Sequence, residues 1–443
     1  IMTKVLILSL GCDKNLVDSE YMMTLLAEKG YELTDLADEA ELIIINTCCF
    51  IGDAKEESIR TILTMAEYKK TGNARGLIVT GCLAERYREE VFTELPEVDA
   101  IVGTNSWDEI AEVASRVLAG QKPKALKSQE AQIDRPNRLR SDVRHYAYLK
   151  IAEGCDKRCT YCIIPYIRGN YRSVPMEELL SEATSLAEQG AAELILVAQE
   201  TTLYGVDLYG TKYLPKLLHE LAQVPGIYWI RILYCYPEEI TDELIDTIAA
   251  EPKVCHYLDI PIQHASDAVL KRMGRRTNEE ELRQRIADIR TRIPDICLRT
   301  TLISGFPGET QEDFEELYRF VNEMEFDRLG VFPYSQEEDT VAAEMEEQIP
   351  QEVKEFRRDE LMELQQAIAF EKAQDMIGQV LTVMIEGKVA DEDTYVARTY
   401  RDAPGVDGYL FLNTSANLMT GDFVKVIVTD SNEYDLIGEL FHE

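Results

Sequence analysis

The sequence predicts an α/β protein in three unlike parts: an N-terminal parallel-sheet α/β domain, a central (β/α) partial TIM-type barrel and a small C-terminal antiparallel β-barrel. Three observations predict it. The chain has 443 residues, more than one ordinary hydrophobic core serves. Short apolar runs alternate with helical stretches in two separate regions, the pattern of βαβ units and parallel sheets. Beyond residue 376 the helical period stops, and short apolar strands stand between Gly and Asp turns.

In the first region, residues 1–125, VLILSL (5–10), LIIIN (42–46) and GLIVT (76–80) read as buried strands with helices between them. Residues 121–144 are polar, with two prolines and several arginines, and the linker is placed at 126–144. The second region, 145–375, offers six strands: AYLKIAE (147–153), ELILVA (193–198), WIRILY (229–234), HYLDIPI (256–262), CLRTTLI (297–303) and RLGVF (328–332). Six strand–helix units in a row suit a full or partial parallel barrel, with an open doubly wound sheet as the alternative. A long charged helix near 350–375 leads into the third region, 376–443. There Lys388, Arg398, Arg401 and Lys425 stand against twelve acidic residues.

The formal charge is −35, from 46 basic and 81 acidic residues. Such an excess repels phosphate backbones and favours basic partners, so nucleic acid is not the expected partner. No segment is long, uncharged and apolar enough to cross a bilayer, and no membrane partner is expected. VLILSLGC is too short for a secretory signal and only Lys4 precedes it, so it reads as a strand in a cytoplasmic protein. Ten cysteines in a long chain of that kind point to metal ligands or catalytic thiols rather than a disulfide framework.

Cys155, Cys159 and Cys162, in EGCDKRCTYC, place three thiolates within eight residues, enough to wrap one side of a cubane iron–sulfur cluster. No fourth cysteine follows at ferredoxin spacing, so one iron is left without a protein ligand. Zinc is the competing metal, but zinc sites pair CxxC with a second CxxC or with histidines, and none stands close by. A second set is spread out: Cys12, Cys48 and Cys82 each follow the carboxyl end of a separate strand. In a parallel sheet those ends share one edge, where such folds bind ligands. The trio can converge on a second open cluster or consist of three unrelated core residues. Cys49 points away from its neighbour, and Cys235, Cys255 and Cys297 read as packing residues.

EGCDKRCTYC resembles the radical S-adenosylmethionine (SAM) signature. Together with SLGCDKN (9–15), NTCCFI (46–51) and TGCLAE (80–85) it resembles the methylthiotransferases. The likeness covers essentially the whole chain and extends to VAQETTLYG (197–205), LDIPIQH (258–264), ISGFPGET (303–310) and FPYSQEEDT (332–340). It implies a cluster domain, a radical SAM barrel and a TRAM β-barrel, with two [4Fe-4S] clusters: one on Cys155/Cys159/Cys162 binding SAM, one auxiliary on Cys12/Cys48/Cys82. In such enzymes one SAM yields the radical that removes an unactivated hydrogen, and another methylates the sulfur to be transferred. The resemblance also implies an electron donor such as flavodoxin or ferredoxin. Cys49 departs from the family pattern, which has glycine there.

Within that family SLGCDKNLVDSE and the acidic third domain resemble the members that modify an aspartate of small-subunit ribosomal protein twelve. The alternative is a tRNA adenosine methylthiotransferase, for which the third domain lacks the basic residues that phosphates need. Residues from Arg135 to Arg172, among them Arg138, Arg140 and Arg168, leave a local basic patch open. By resemblance Tyr161 lies near the adenine, and Gln199, Glu200, Arg231 and Gln263 end strands at the mouth as SAM contacts. His264 is either a pocket residue or a structural histidine. GFPGE lacks the lysine and spacing of a P-loop.

Overall fold

A computed structural model describes residues 2–442; Ile1 and Glu443, at the outer ends of the first and last predicted regions, lie outside the described residues. The first domain is built on β1 (Lys4–Ser9), β2 (Glu32–Leu33), β3 (Leu42–Thr47), β4 (Gly76–Gly81), β5 (Ala100–Val102) and β6 (Lys124–Ala125). They form one parallel sheet in the order β2-β1-β3-β4-β5-β6. Successive side chains alternate between faces, and both faces are apolar. Leu6, Ile43, Ile45, Leu77 and Val79 pack with Ile62 and Ala66 on one side. On the other, Val5, Ile7, Ile44 and Ile78 pack with Val17, Tyr21, Val113 and Val117. This is why the strands read as unbroken apolar runs.

The central sheet comprises β7 (Tyr146–Lys150), β10 (Glu193–Val197), β11 (Trp229–Ile232), β12 (Val254–Asp259), β13 (Cys297–Ser304) and β14 (Arg328–Pro333); a short hairpin, β8 (Ala152–Glu153) with β9 (Arg172–Ser173), sits beside β7 in the chain. The order is β14-β13-β12-β11-β10-β7, all parallel, and β7 and β14 do not pair, so the barrel is partial. Helices cover one face only: Leu149, Leu194, Leu196, Ile230, Ile232 and Leu258 meet Leu179, Leu217, Ile245, Ile286 and Leu317. A doubly wound sheet would carry helices on both faces. Here the other face, with Ile195, Trp229, Cys255, Tyr257 and Cys297, receives Met384 and Ala403 of the third domain.

That third domain closes β15 (Val380–Lys388), β16 (Thr394–Arg398), β17 (Leu410–Asn413), β18 (Phe423–Ser431) and β19 (Leu436–Leu440) into a barrel in the order β15-β16-β17-β19-β18. Four pairings are antiparallel as the sequence predicts, and β17 with β19 is parallel. Closure removes free edges, which lets so small a sheet stand alone around Val383, Ile385, Leu410 and Val426. The charged helix Gln351–Gln374 delivers the chain to it.

Residues 126–144 carry no helix or strand, yet they do not hang loose. Arg138 is 1% exposed and ion-paired with Glu20 of the first domain and Glu182 of the second. No helix among the described residues is long and apolar enough to cross a membrane.

Candidate metal and cofactor site

Cys12, Cys48 and Cys82 stand at the carboxyl ends of β1, β3 and β4, three adjacent strands. Polar side chains lace these ends together: Asn15 Nδ2 donates to Leu10 O (3.0 Å) and Thr47 O (2.9 Å), and Thr47 Oγ1 donates to Thr80 O (2.6 Å). Ser58 Oγ accepts from the Cys48 N–H at 3.0 Å and donates to its carbonyl at 2.7 Å. Two glycines make room. Gly11 has φ +81°, and a Cβ there would sit 2.6 Å from Cys48 Cβ; Gly81 has φ +89°, with a Cβ 2.3 Å from Asn46 Oδ1. Neither position admits a side chain.

Two of the three thiols, Cys48 and Cys82, are displaced by burial and by neighbouring charge. Burial pushes Cys82 well above its ordinary range, Arg168 pulls it back, and Cys48 and Cys12 push it further up. Burial likewise raises Cys48, and Cys12 adds to it. Arg168 Nη2 lies 3.8 Å from Cys82 Sγ. Cys49 instead packs in the apolar core of the first domain, its thiol pushed up to about 11 by burial.

The second trio follows the hairpin strand β8. Cys155 donates its N–H to Gly169 O at 3.1 Å, Cys162 donates to Cys159 O at 3.0 Å, and Thr160 donates to Met273 O at 2.9 Å, which fixes the loop against the barrel. Burial pushes Cys155 up to about 11, with Cys159 adding to the shift, and raises Cys162 further, with Cys159 and Cys155 contributing. Tyr236 Oη is 3.7 Å from Cys159 Sγ.

Around this loop lie buried polar atoms with nothing to bind. Gln199 Oε1, Glu200 Oε2 and Gln263 Oε1 have no hydrogen-bond partner. Gln263 also sits at φ +69°, a conformation a non-glycine residue adopts only when its surroundings impose it. A buried oxygen without a donor costs about 1–3 kcal/mol, so three of them call for a ligand rich in N–H and O–H groups. SAM, with an amino group, ribose hydroxyls and an adenine amine, has that chemistry. The donor sets fit iron–sulfur clusters as well. No trio of His, Cys, Asp or Glu among the described residues is arranged to hold a single metal ion. Three thiolates around a cluster each bind a different iron and stand correspondingly wider.

Of the other predicted contacts, Tyr161 is half-buried edge-on to Phe306, ring centroids 6.4 Å apart. Burial brings the Glu200 carboxyl up to about 7 against the hydrogen bonds from Thr202. Arg231 is a correction. It is fully buried on the face that the third domain covers, donating from Nε to Glu193 Oε1 (2.9 Å) and from Nη1 to Tyr400 O (2.5 Å). All its reach is spent at that interface, so it is withdrawn from the SAM contacts. His264 is structural: Nδ1 accepts from Ser266 N–H (3.0 Å), leaving Nε2 to donate to Glu309 Oε2 (2.9 Å). Three members of the basic stretch, Arg138, Arg140 and Arg168, turn inward against carboxylates or carbonyls, while Arg144 and Arg158 stay exposed.

Sequence reasoning passed over the link between the trios. Arg168 Nη1 donates to Asp18 Oδ2 (2.8 Å) and Glu153 Oε2 (3.3 Å), and Lys150 Nζ pairs with the same two carboxylates. Gln199 Nε2 in turn reaches Glu153 Oε1 at 3.4 Å. Above this, Tyr234 Oη donates to Asp13 Oδ2 at 2.9 Å, joining the first domain to the barrel mouth.

Comparison with known proteins matches three family profiles along the chain: uncharacterized protein family UPF0004 over residues 4–103, the radical SAM superfamily over 149–321 and a TRAM domain over 377–441. The ribosomal protein uS12 methylthiotransferase RimO of Lachnoclostridium phytofermentans is 61% identical over 436 residues, covering 98% of this chain and 99% of that protein. The RimO proteins of Acetivibrio thermocellus and Pelotomaculum thermopropionicum are each 51% identical, covering 99% and 98% of this chain and 99% of each relative. Among solved structures, the radical SAM methyltransferase TsrM from Kitasatospora setae, with cobalamin and a [4Fe-4S] cluster bound, superposes with a TM-score of 0.56 at 15% identity over 75% of each chain. The cobalamin-dependent SAM radical enzyme OxsB does so at 0.53 and 14% identity, covering 84% of this chain and 56% of that one. At such identities the likeness is one of fold.

Proposed function

Because the chain belongs to the family of RimO ribosomal protein uS12 methylthiotransferases, we propose that it is a radical SAM transferase that adds a methylthio group to an aspartate of uS12, with two [4Fe-4S] clusters on its two cysteine trios. The observation that carries the two-cluster reading is the placement of both trios at strand ends, bridged by Arg168 and by the Tyr234–Asp13 contact. The relatives' names favour the ribosomal protein over tRNA as substrate.

The bound groups supply the hard chemistry: SAM on an open iron provides a carbon radical able to take the unactivated β-hydrogen of aspartate, and the auxiliary cluster provides the sulfur. The chain's own residues hold and shield. Cys155, Cys159 and Cys162 would hold one cluster by three thiolates, leaving a position for SAM, and Cys12, Cys48 and Cys82 would hold the auxiliary one in the same way. Gln199, Glu200 and Gln263 offer their unpartnered oxygens to the donors of SAM. Tyr161 and Phe306 offer aromatic surface beside the Cys155 loop, which would help exclude water from bound SAM. The third domain turns its two arginines inward, against Glu193 and Asp327, and this leaves its acidic loops, Asp391–Asp393 among them, for a basic protein.

The test is mass spectrometry after anaerobic incubation with SAM, sulfide and reductant, offering a uS12 peptide or bulk tRNA. A gain of one methylthio group on the peptide's aspartate, with tRNA unchanged, is the expected outcome. Modification of tRNA alone would overturn the substrate and leave the cluster assignment standing.

A further inference from the structure

The short helix Ile164–Arg168 begins two residues after Cys162 and ends at Arg168. Its apolar side is not in the barrel's core. Ile163 (2% exposed) and Ile167 (1%) are buried in the core of the first domain beside Leu83 and Ala84, and Thr104 Oγ1 donates to the Ile167 carbonyl at 2.7 Å. One rigid turn therefore follows directly on a ligand of the SAM-side trio and ends in a guanidinium that faces the auxiliary trio.

Arg168 is 2% exposed and its five N–H groups are nearly all spent: Asp18, Glu153 and Asn15 accept from it, and Nη2 also faces Cys82 Sγ at 3.8 Å. With Lys150 the cluster of charges balances, two cations against two carboxylates, so the group tolerates burial. The charge aimed at Cys82 is then set by which member of the balance is present. Hydrogen bonds and positive charge at a cluster's thiolate stabilise the form with one more electron.

We infer that Arg168 is a positioning residue shared by the two sites, holding the Cys82 ligand from the SAM-side loop and setting the reduction potential of the auxiliary cluster. This rests on the two-cluster reading above. Removing the guanidinium leaves the network one negative charge in excess beside the cluster and lowers its potential; removing the Asp18 carboxylate leaves one positive charge in excess and raises it. General loosening of the fold cannot give opposite signs from two neighbours in one network.

The experiment uses the full chain with Cys155, Cys159 and Cys162 replaced by alanine, reconstituted with iron and sulfide, so that only the auxiliary site can load. If this background binds no cluster, the two-cluster reading fails, whatever Arg168 does. If it loads about four irons, EPR-monitored redox titration compares it with Arg168→Gln, Arg168→Lys and Asp18→Asn in the same background. The expected order of potentials is Asp18→Asn highest, then the parent, then Arg168→Lys, then Arg168→Gln. Should Arg168→Gln hold no iron, the required result is a downward shift in Arg168→Lys. Unchanged potentials, or shifts of one sign in the Arg168 and Asp18 variants, overturn the inference.

Discussion

A single methyl group at residue 11 is enough to test the auxiliary trio. Gly11 lies 2.6 Å, by its would-be Cβ, from Cys48 Cβ and 3.0 Å from Cys48 Sγ, at a φ of +81°. Gly11→Ala is expected to displace Cys48 and leave the Cys155 loop untouched. Iron should fall from about eight to about four per chain, with reductive SAM cleavage retained and methylthio transfer lost; iron analysis beside product assays checks it. Glu200 gives a pH prediction. Burial lifts its carboxyl from 4.5 to about 7, so the folded apoprotein binds that proton more tightly than the unfolded chain. Its stabilising share is complete below pH 4.5 and is lost as pH rises through 7, a loss of about 3 kcal/mol. Glu200→Gln should remove that decline in chemical denaturation curves measured between pH 5 and 8. The position of Glu200 at a strand end was legible in the sequence, as were Gln199 and Gln263. Arg231 was not. Periodicity places it on a strand, but the partner that claims it, the Tyr400 carbonyl, is 169 residues away.

Among the elements, the segment 126–144 shows where local composition misleads. Polar residues, proline and arginine read as a linker because the partners that bury the segment are not its neighbours in sequence. The partners lie far off: Arg138 reaches Glu20 and Glu182, Leu139 N–H donates to Thr24 Oγ1 at 2.9 Å, and Ser141 N–H donates to Glu20 Oε1 at 3.0 Å. Arg138→Ala leaves two carboxylates buried without their cation, a loss of about 3–5 kcal/mol. Faster proteolytic nicking inside 126–144, with a lower denaturation midpoint, is the expected result. The apolar strands, by contrast, were legible because parallel strands covered on both faces keep no polar alternation. β5 and β6 escaped notice at two or three residues each, and the parallel β17–β19 pair has no signature that distinguishes it from a hairpin.

At the scale of the whole molecule, charge is sorted by burial. The two arginines of the third domain turn inward: Arg398 Nη2 meets Glu193 Oε2 at 2.7 Å, with both side chains 0% exposed, and Arg401 meets Asp327. Burial alone would raise Glu193; Arg398 and Arg231 hold its carboxyl below the usual range instead. The domain is thereby locked to the barrel, and its net surplus of acid is left for solvent. A chain of formal charge −35 would attract a basic protein substrate over distances up to the screening length, about 8–10 Å at physiological salt. Attraction of that kind accelerates encounter more than it tightens the final complex. Raising ionic strength from about 50 to 500 mM, across which the screening length shortens severalfold, should therefore lower kcat/KM for the protein substrate several-fold while kcat holds. Reversing Asp391, Glu392 and Asp393 to lysine should flatten that dependence and reduce kcat/KM at low salt, with SAM cleavage in the absence of substrate unchanged. If the triple reversal left the salt slope intact, the acidic loop would not be the surface that meets the substrate, and the steering charge would have to lie on the barrel or the first domain.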